Sequence, residues 1–297
     1  MNRFFVLPMF AAMLVGGCVA TTVPHDAATL AHAAPATAAG PAANDNLNAV
    51  AWAQTAVEHD LVYRGVFRSA GEKLLKALRD RTWDALPRDE RRNDARHLKP
   101  AVIVDIDETM LDNSPYQARL VAAGTSFDEF TWAQWCREKA ASALPGALEF
   151  ARLAAQHGVT VFYLSNRAQD LDEVTLQNLR ADGFPIASGE PVFLGLGRVV
   201  DGCEQVGSAK GCRREWVGRR YRVLLQVGDQ LGDFVDVPAN TPQGRRAAIA
   251  PYRDWIGERW FVLPNPTYGA WEAALFNNDW SQPPARRREA KIGALRQ

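Results

Sequence analysis

The sequence predicts an α/β fold in which a central parallel sheet carries helices on both faces. Short runs of β-branched and aromatic residues recur at 101–104, 159–164, 223–227 and 260–263, as expected for strands buried on both faces. Segments of helical periodicity separate these runs. Strands that alternate with helices are typical of right-handed crossover units in a parallel sheet.

The helices follow from apolar spacing and from residues that begin or end a helix. Residues 47–78 show three- and four-residue apolar steps with a slip near Gly65, whereas 79–100 is highly charged and predicted to be irregular. Pro145 and Gly158 bracket a second helix in the order preferred at helix ends. Further helices are predicted at 170–181 and 213–220, and the basic tail, 281–297, is predicted to be a solvated helix or a frayed end.

Length and charge narrow the classes of function. A chain of 297 residues can bury a large core, so one main domain is expected, over residues 45–280. The 34 basic and 34 acidic residues cancel, which disfavours a nucleic-acid polymer as partner. A small anionic substrate needs only a local positive group or a metal and remains compatible with this composition.

The first 18 residues have the pattern of an export signal. An apolar run, 4–14, follows Arg3, and Val15-Gly16-Gly17-Cys18 close the segment. The run is too short for a membrane span but suits a signal peptide. Small residues before Cys18 resemble a bacterial lipobox, whose cysteine is acylated and anchors the protein to a membrane; the alternative is an ordinary signal with an incidental cysteine. Val19 in the next position indicates the outer membrane of a bacterial cell envelope. Residues 19–44, rich in Ala, Thr and Pro, are predicted to be a flexible tether.

Export changes how the remaining cysteines are interpreted. Cys203 and Cys212 bracket a short loop and are disulfide candidates in an oxidising compartment, the alternative being two free thiols. Cys136, beside Trp135, is interpreted as a small buried hydrophobe.

Polar residues follow three of the predicted strands where ligands bind in such sheets. Asp105 and Asp107 follow the first strand, Ser165 and Asn166 the second, and Asp229 the third. Converging carboxylates suit a hard cation such as Mg²⁺. Each signal is weak alone, because an aspartate after a strand is often a turn residue and 165–167 could equally open a helix as an N-cap.

Taken together, these segments resemble the four motifs of the haloacid dehalogenase superfamily. The motif residues are 105–109 (Asp-Ile-Asp-Glu-Thr), 165–167 (Ser-Asn-Arg), Lys210, and 228–233 (Gly-Asp-Gln-Leu-Gly-Asp). The longer string 105–116, together with 145–147, 263–272 and the lipobox, is similar to the class C nonspecific acid phosphatases, bacterial surface lipoproteins that often act as 5'-nucleotidases. The resemblance covers residues 46–278. It implies a Rossmannoid three-layer fold with a small, mainly helical cap at about 46–95 and 113–144.

The resemblance also implies roles for individual residues. Asp105 would be the nucleophile that forms an aspartyl-phosphate, and Asp107 the general acid and base. One Mg²⁺ per chain would be held by Asp105, the Asp107 carbonyl and Asp229, with Asp233 in support. Phosphate oxygens would be bound by Thr109, Ser165, Asn166 and Lys210.

The expected substrate is a phosphomonoester, and nucleoside 5'-monophosphates are favoured because aromatic residues of the cap resemble a base-stacking element. Phe127, Trp132 and Tyr268 are the candidates, the alternative being that they pack the cap against the core; Trp135 is assigned to the core. Two other functions remain open, a lipid-anchored protein that binds haem or a nucleotide, and a phosphotransferase. Homodimerisation is also left open.

Overall fold

The computed structural model describes residues 44–297. The predicted signal peptide, the acylation candidate Cys18 and all but the last residue of the predicted tether lie outside the described residues. Within the described range, no helix is both long enough and apolar enough to cross a membrane.

Five parallel strands form the central sheet, which confirms the predicted α/β class. The strands are β1 (Lys99–Val104), β4 (Thr160–Ala168), β5 (Phe193–Leu196), β6 (Tyr221–Gly228) and β7 (Trp260–Val262). Their order is β5-β4-β1-β6-β7, with β1 at the centre between β4 and β6. The sequence missed β5, since Gly195 interrupts its apolar run, whereas the shorter β7 was found from a run without glycine.

Two hydrophobic cores cover the two faces of the sheet, producing three layers. Val102 and Val104 of β1 face a core with α2 (Val57–Arg79) and α5 (Ala147–Gln156), and the alternate residues of β1 face a second core with α7 (Gly211–Arg220). This alternation follows from the two-residue period of a strand, which sends successive side chains to opposite faces.

The predicted N-terminal helix is two helices. α1 (Leu47–Thr55) ends at Ala56, whose extended backbone (φ −81°, ψ 125°) separates it from α2, and α2 then runs without a break through Gly65. The slip in the apolar pattern therefore did not mark the break. Because α2 packs against α5 and β6, most of the segment 46–95 belongs to the layer that covers the sheet and not to a separate cap.

The insertion after β1 is helical, and its assignment as a cap over 113–144 stays a prediction. Two helices, α3 (Ser114–Ala123) and α4 (Glu129–Glu138), lie between the short strands β2 (Leu111–Asp112) and β3 (Ser142–Ala143), which pair antiparallel and close the insertion at its base. Trp135 and Cys136 of α4 are buried, as predicted.

The remaining helices complete the domain. They are α6 (Asp172–Ala181), α8 (Pro242–Ile249), the short α9 (Ala270–Ala273) and α10 (Pro284–Gly293). The tail is thus helical over most of its length. Cys203 and Cys212 form a disulfide across a Cα–Cα distance of 4.9 Å, and Cys212 lies in the first turn of α7.

Candidate active site

A cluster of three carboxylates lies at the carboxyl edge of the sheet. Asp105 follows β1 directly, and its backbone N–H donates to the Val227 carbonyl of β6 at 2.9 Å. Asp229 follows β6, and Asp233 ends the 3₁₀ turn Leu231–Asp233. Carboxylate oxygens of the three aspartates lie within 4.8 Å of one another.

Hydrogen bonds fix Asp229 and Asp233 in this cluster. Oδ2 of Asp229 accepts from Asn265 Nδ2 at 2.9 Å and from Gln230 Nε2 at 2.8 Å. Oδ2 of Asp233 accepts from the Gln230 backbone N–H at 2.8 Å. The fully buried Thr109 hydroxyl donates to Asp229 Oδ1 at 3.3 Å. The Thr109 side chain therefore supports a carboxylate, and its contact with phosphate stays a prediction.

Lys210 bridges two of the carboxylates. Its Nζ donates to Asp105 Oδ1, to Asp233 Oδ1 at 2.7 Å and to the Leu164 carbonyl at 2.7 Å. Burial on its own would lower the pKa of this ammonium group, but Asp105 and Asp233 outweigh that effect and raise the pKa above its usual value. Lys210 thus stays charged in the site.

Crowding and burial perturb the acidic groups. Burial raises the pKa of Asp105 well above its usual range, Lys210 opposes the rise, and the neighbouring carboxylates of Asp233, Asp229 and Asp107 add to it. Burial, followed by the charge of Asp233, raises the pKa of Asp229 to about 7. One ammonium group does not neutralise three carboxylates, so an oxygen-bound divalent cation is a suitable further partner for this donor set.

One carboxylate oxygen of Asp107 accepts three hydrogen bonds, and the other accepts one long hydrogen bond. Its Oδ1 accepts from Arg167 Nε at 3.0 Å, from Arg167 Nη2 at 2.8 Å and from Asn113 Nδ2 at 2.9 Å. Among residues 44–297, its Oδ2 has only the Ser165 hydroxyl as a partner, at 3.3 Å. Asn113 is oriented in turn by Trp135, whose Nε1 donates to Asn113 Oδ1 at 2.8 Å.

Ser165 and Asn166 lie inside β4, so the alternative that they open a helix is wrong. The strand continues to Ala168, and α6 begins only after the 3₁₀ turn Gln169–Leu171. Arg213 braces the strand, donating to the Ser165 carbonyl at 2.6 Å and to Asn166 Oδ1 at 2.7 Å. Ser165 is buried beside Asp107, whereas Asn166 is exposed.

Glu108 connects the motif 105–109 to the segment that carries Tyr268. It has a left-handed backbone (φ 56°), rare for a residue with a side chain. Its Oε1 accepts from the Asn113 N–H at 2.8 Å, its Oε2 from the Tyr268 hydroxyl, and its carbonyl from Tyr63 Oη at 2.9 Å. Burial, followed by the charges of Asp107 and Asp229, raises the pKa of Glu108 well above its usual range.

The three candidate stacking residues occupy two separate places. Phe127 and Trp132 contact each other and Tyr116, with ring centroids 5.2–6.4 Å apart. The Arg167 guanidinium lies over the Trp132 ring at 5.3 Å. Tyr268 makes no ring contact with either among the described residues, and reaches the motif 105–109 through Glu108.

Several residues of the site were missed as functional candidates. Arg167, Asn113, Glu108, Gln230 and Asn265 lie inside the quoted motifs but were given no role. Their signal is a polar or charged side chain next to a strand end, a signal shared with ordinary surface turns. Arg167, Asn113 and Glu108 are distinguished by their burial. Gln230 and Asn265 are distinguished by their hydrogen bonds to Asp229.

The strand order, and the carboxylate cluster at the carboxyl ends of the central strands, define a haloacid-dehalogenase-like α/β protein. Residues 31–271 match the family model described as HAD superfamily, subfamily IIIB (acid phosphatase). The chain belongs to this family.

Individual proteins that are similar to this chain include further acid phosphatases. A solved class C acid phosphatase from Bacillus anthracis is 30% identical, with a TM-score of 0.72 over 85% of this chain and 97% of that one, and a second structure of it, with tungstate bound, matches equally. Acid phosphatase 1 from Solanum lycopersicum is 33% identical over 167 residues, 56% of this chain and 57% of the relative. The stem 28 kDa glycoprotein of Glycine max is 26% identical over 172 residues, 58% of this chain and 61% of the relative. The match thus spans about three fifths of these plant proteins.

Proposed function

We propose that the protein hydrolyses phosphomonoesters with Asp105 as the nucleophile. The observation that carries the proposal is the cluster of Asp105, Asp229 and Asp233 around Lys210 at the carboxyl edge of the sheet. Within the described residues, Asp105 Oδ1 accepts from Lys210 while Oδ2 accepts no hydrogen bond, so Oδ2 is the atom free to attack phosphorus. Membership of an acid phosphatase family and a relative that binds tungstate, a tetrahedral oxyanion, support this assignment.

The reaction proceeds in two displacements. Asp105 Oδ2 bonds to phosphorus as the bond to the leaving oxygen breaks, and Asp107 Oδ2 gives that oxygen a proton. Water then attacks the aspartyl-phosphate, Asp107 takes a proton from it, and inorganic phosphate leaves with Asp105 restored. Ser165 and Lys210 are placed to hold the phosphoryl oxygens, and Asn166, at the exposed end of β4, is a further donor.

Mg²⁺ is the proposed cofactor, one per chain. Asp105, the Asp107 carbonyl and Asp229 would hold it, and Asp233 would support it through Lys210 and the Gln230 N–H. All these donors are oxygen atoms, which Mg²⁺ prefers. Bound there, the ion would offset the negative charge of the carboxylates and of the phosphoryl group.

Nucleoside 5'-monophosphates are the proposed substrates. Tyr268 and Trp132 are each linked to the motif 105–109 through one other side chain. The Tyr268 hydroxyl donates to Glu108. The Trp132 ring lies beneath the guanidinium of Arg167, which binds Asp107. An aromatic ring so placed can stack on any base. Phe127, which is more than half exposed, can extend the Trp132 surface.

We also propose that the chain is an envelope lipoprotein acylated at Cys18 and directed to the outer membrane. The small residues before Cys18 and the apolar run 4–14 support this location. Metabolic labelling with palmitate should mark the full chain and should fail to mark Cys18→Ser. Homodimerisation also stays a proposal, and light scattering on the purified protein would test it.

The central test uses Asp105→Asn and the matched control Asp112→Asn. Asp112 lies in the same motif, but its Oδ1 caps the Ser114 N–H at 2.8 Å, a contact that an asparagine retains. We expect Asp105→Asn to lose p-nitrophenyl phosphate hydrolysis with an unchanged melting curve, and Asp112→Asn to stay active. Normal turnover by Asp105→Asn would refute the mechanism. EDTA should abolish wild-type activity and Mg²⁺ restore it, and added glycerol would reveal phosphotransfer as phosphate missing relative to p-nitrophenol.

A further inference from the structure

The C-terminal segment 280–297 carries a concentration of positive charge that the active site does not use. It holds five basic side chains and one acidic one, in a chain whose formal net charge is zero. The basic residues are Arg286, Arg287, Arg288, Lys291 and Arg296. A local excess of this size creates a positive surface that favours an anionic partner.

The same segment exposes large apolar side chains. Trp280 is 54% exposed, Ile292 53% and Leu295 69%. Exposed apolar side chains beside arginines on a short helix are typical of a segment that lies in a membrane interface. A polyanion such as DNA would use the charge but leave the apolar side chains in water.

Two exposed residues share one side of α10. Arg288 and Ile292 lie four residues apart, which places them on a common helical face, and Leu295 follows just beyond the end of the helix at Gly293. The helix is attached to the domain through Lys291, whose Nζ lies 3.1 Å from Glu272 Oε1, and the Arg287 guanidinium lies 5.1 Å from the Trp280 ring centroid. The side chains of Arg288, Ile292 and Leu295 stay more than half exposed.

This surface lies beside the start of the described chain. Arg288 Nη2 is 3.2 Å from Asp45 Oδ1, and Lys291 Nζ is 3.7 Å from Asp45 Oδ2. The described part of the chain therefore begins next to α10. A tether that holds a domain near a surface raises the effective concentration of any second contact with it.

We propose that α10 docks on an anionic lipid bilayer as a second, electrostatic membrane contact that orients the catalytic domain. The charge complements anionic headgroups, and Trp280, Ile292 and Leu295 enter the boundary between headgroups and acyl chains. The inference deepens the proposed envelope location. It does not require acylation of Cys18, because α10 should bind lipid by itself.

The test uses the full chain with Leu295→Cys labelled by an environment-sensitive NBD fluorophore. The protein is mixed with vesicles of phosphatidylcholine alone or with 30% phosphatidylglycerol, about the content that gives a negative surface. We expect emission to rise and shift to the blue on the anionic vesicles only. Salt at about 0.5 M should reverse the change, because it screens charges beyond a few ångströms.

Charge variants make the test specific. Arg286→Gln with Arg288→Gln should weaken binding about thirtyfold, as expected for two lost basic contacts with an anionic surface. The control, Arg96→Gln with Arg180→Gln, removes two similarly exposed, acid-paired arginines from the loop before β1 and from α6 and should bind normally. Phosphatase activity should be unchanged in both. An equal response to neutral vesicles, an unaffected Arg286/Arg288 variant, or binding to duplex DNA but not to vesicles would overturn the proposal. Loss of palmitate labelling alone would overturn only the lipid anchor.

Discussion

The Arg167 guanidinium donates two hydrogen bonds to a single oxygen of Asp107, from Nε at 3.0 Å and Nη2 at 2.8 Å. Arg167 is almost fully buried and also donates to Thr175 Oγ1 at 3.1 Å. The arrangement fixes the rotation of the Asp107 carboxylate, so that Oδ2 is the oxygen available for proton transfer. Arg167 is thus a positioning residue that acts through Asp107.

Loss of these two hydrogen bonds should slow the hydrolysis of substrates whose leaving oxygen needs a proton. In Arg167→Lys the charge remains but the bidentate geometry is lost. We expect kcat/KM to fall about 10²-fold for an alkyl phosphate, the order of a general-acid contribution, and less for p-nitrophenyl phosphate, whose leaving group departs unprotonated. Arg137→Lys, an exposed arginine paired with Asp170, is the control. An equal loss on both substrates would show a merely structural role.

Replacing Lys210 should cost both stability and activity. Lys210→Met leaves Asp105 and Asp233 buried without their shared cation, and breaking such a pair typically costs about 3–5 kcal/mol of unfolding free energy. Loss of a donor to the phosphoryl group should lower kcat/KM by about 10²–10³-fold. Urea titration and steady-state kinetics measure the two effects. The exposed Lys99→Met serves as reference, and wild-type turnover by Lys210→Met would contradict the assigned role.

The stability of metal-free protein should fall as pH rises from about 4 to 7. Burial raises the pKa of Asp229 to about 7 in the folded state, so between these values the folded protein holds a proton that the unfolded chain releases. Mg²⁺ competes with that proton and should raise the melting temperature more at pH 7.5 than at pH 4.5. Thermal melts with EDTA and with Mg²⁺ check this. Asp229→Asn should make the EDTA profile less steep, the remaining slope coming from the raised pKa values of Asp105 and Glu108, and should remove the Mg²⁺ effect. A metal effect that is larger at low pH would reject the assignment.

Tyr268 offers a test of base stacking. Tyr268→Ala removes the ring and should raise KM for adenosine 5'-monophosphate by about 5- to 150-fold, the range of one base–aromatic stack, with little change for a small alkyl phosphate. Tyr268→Phe keeps the ring but loses the bond to Glu108, so its KM should stay close to that of the wild type. The exposed Phe130→Ala controls for loss of an aromatic surface. Equal KM changes for both substrates would argue against stacking.

The Cys203–Cys212 disulfide should stabilise the segment that delivers Lys210. A bridge across so short a loop is worth about 2–3 kcal/mol on the chain-entropy model. We expect the double variant Cys203→Ser/Cys212→Ser to unfold at lower denaturant. Its kcat should also fall, because Lys210 lies two residues from Cys212. Cys136→Ser, at the buried free thiol, separates loss of the bridge from loss of a cysteine; an unchanged unfolding midpoint in the double variant would show that the bridge contributes nothing.

How far the sequence predicted the sheet depended on whether each apolar run is interrupted. The runs in β1, β4, β6 and the short β7 contain no glycine, and all four were found. Gly195 interrupts the run in β5, and a single extended residue such as Ala56 leaves no periodic signal. The buried arrangement of α2 against α5 could not be read from its pattern either, since amphipathic periodicity gives a buried face but not its partner.

The sequence by itself determined which chemistry is present. Asp105 and Asp229 each follow a strand, and Ser165 lies in the last part of β4. Because parallel strands bring their carboxyl ends to one edge, linear order was enough to bring these residues together. Only the tertiary structure decided how the groups are used. Arg167 reaches Asp107 across 60 residues of chain and Lys210 reaches Asp105 across 105, and the Thr109 hydroxyl donates to Asp229 across 120. Such partners depend on burial and side-chain direction, which arise only when distant segments pack together.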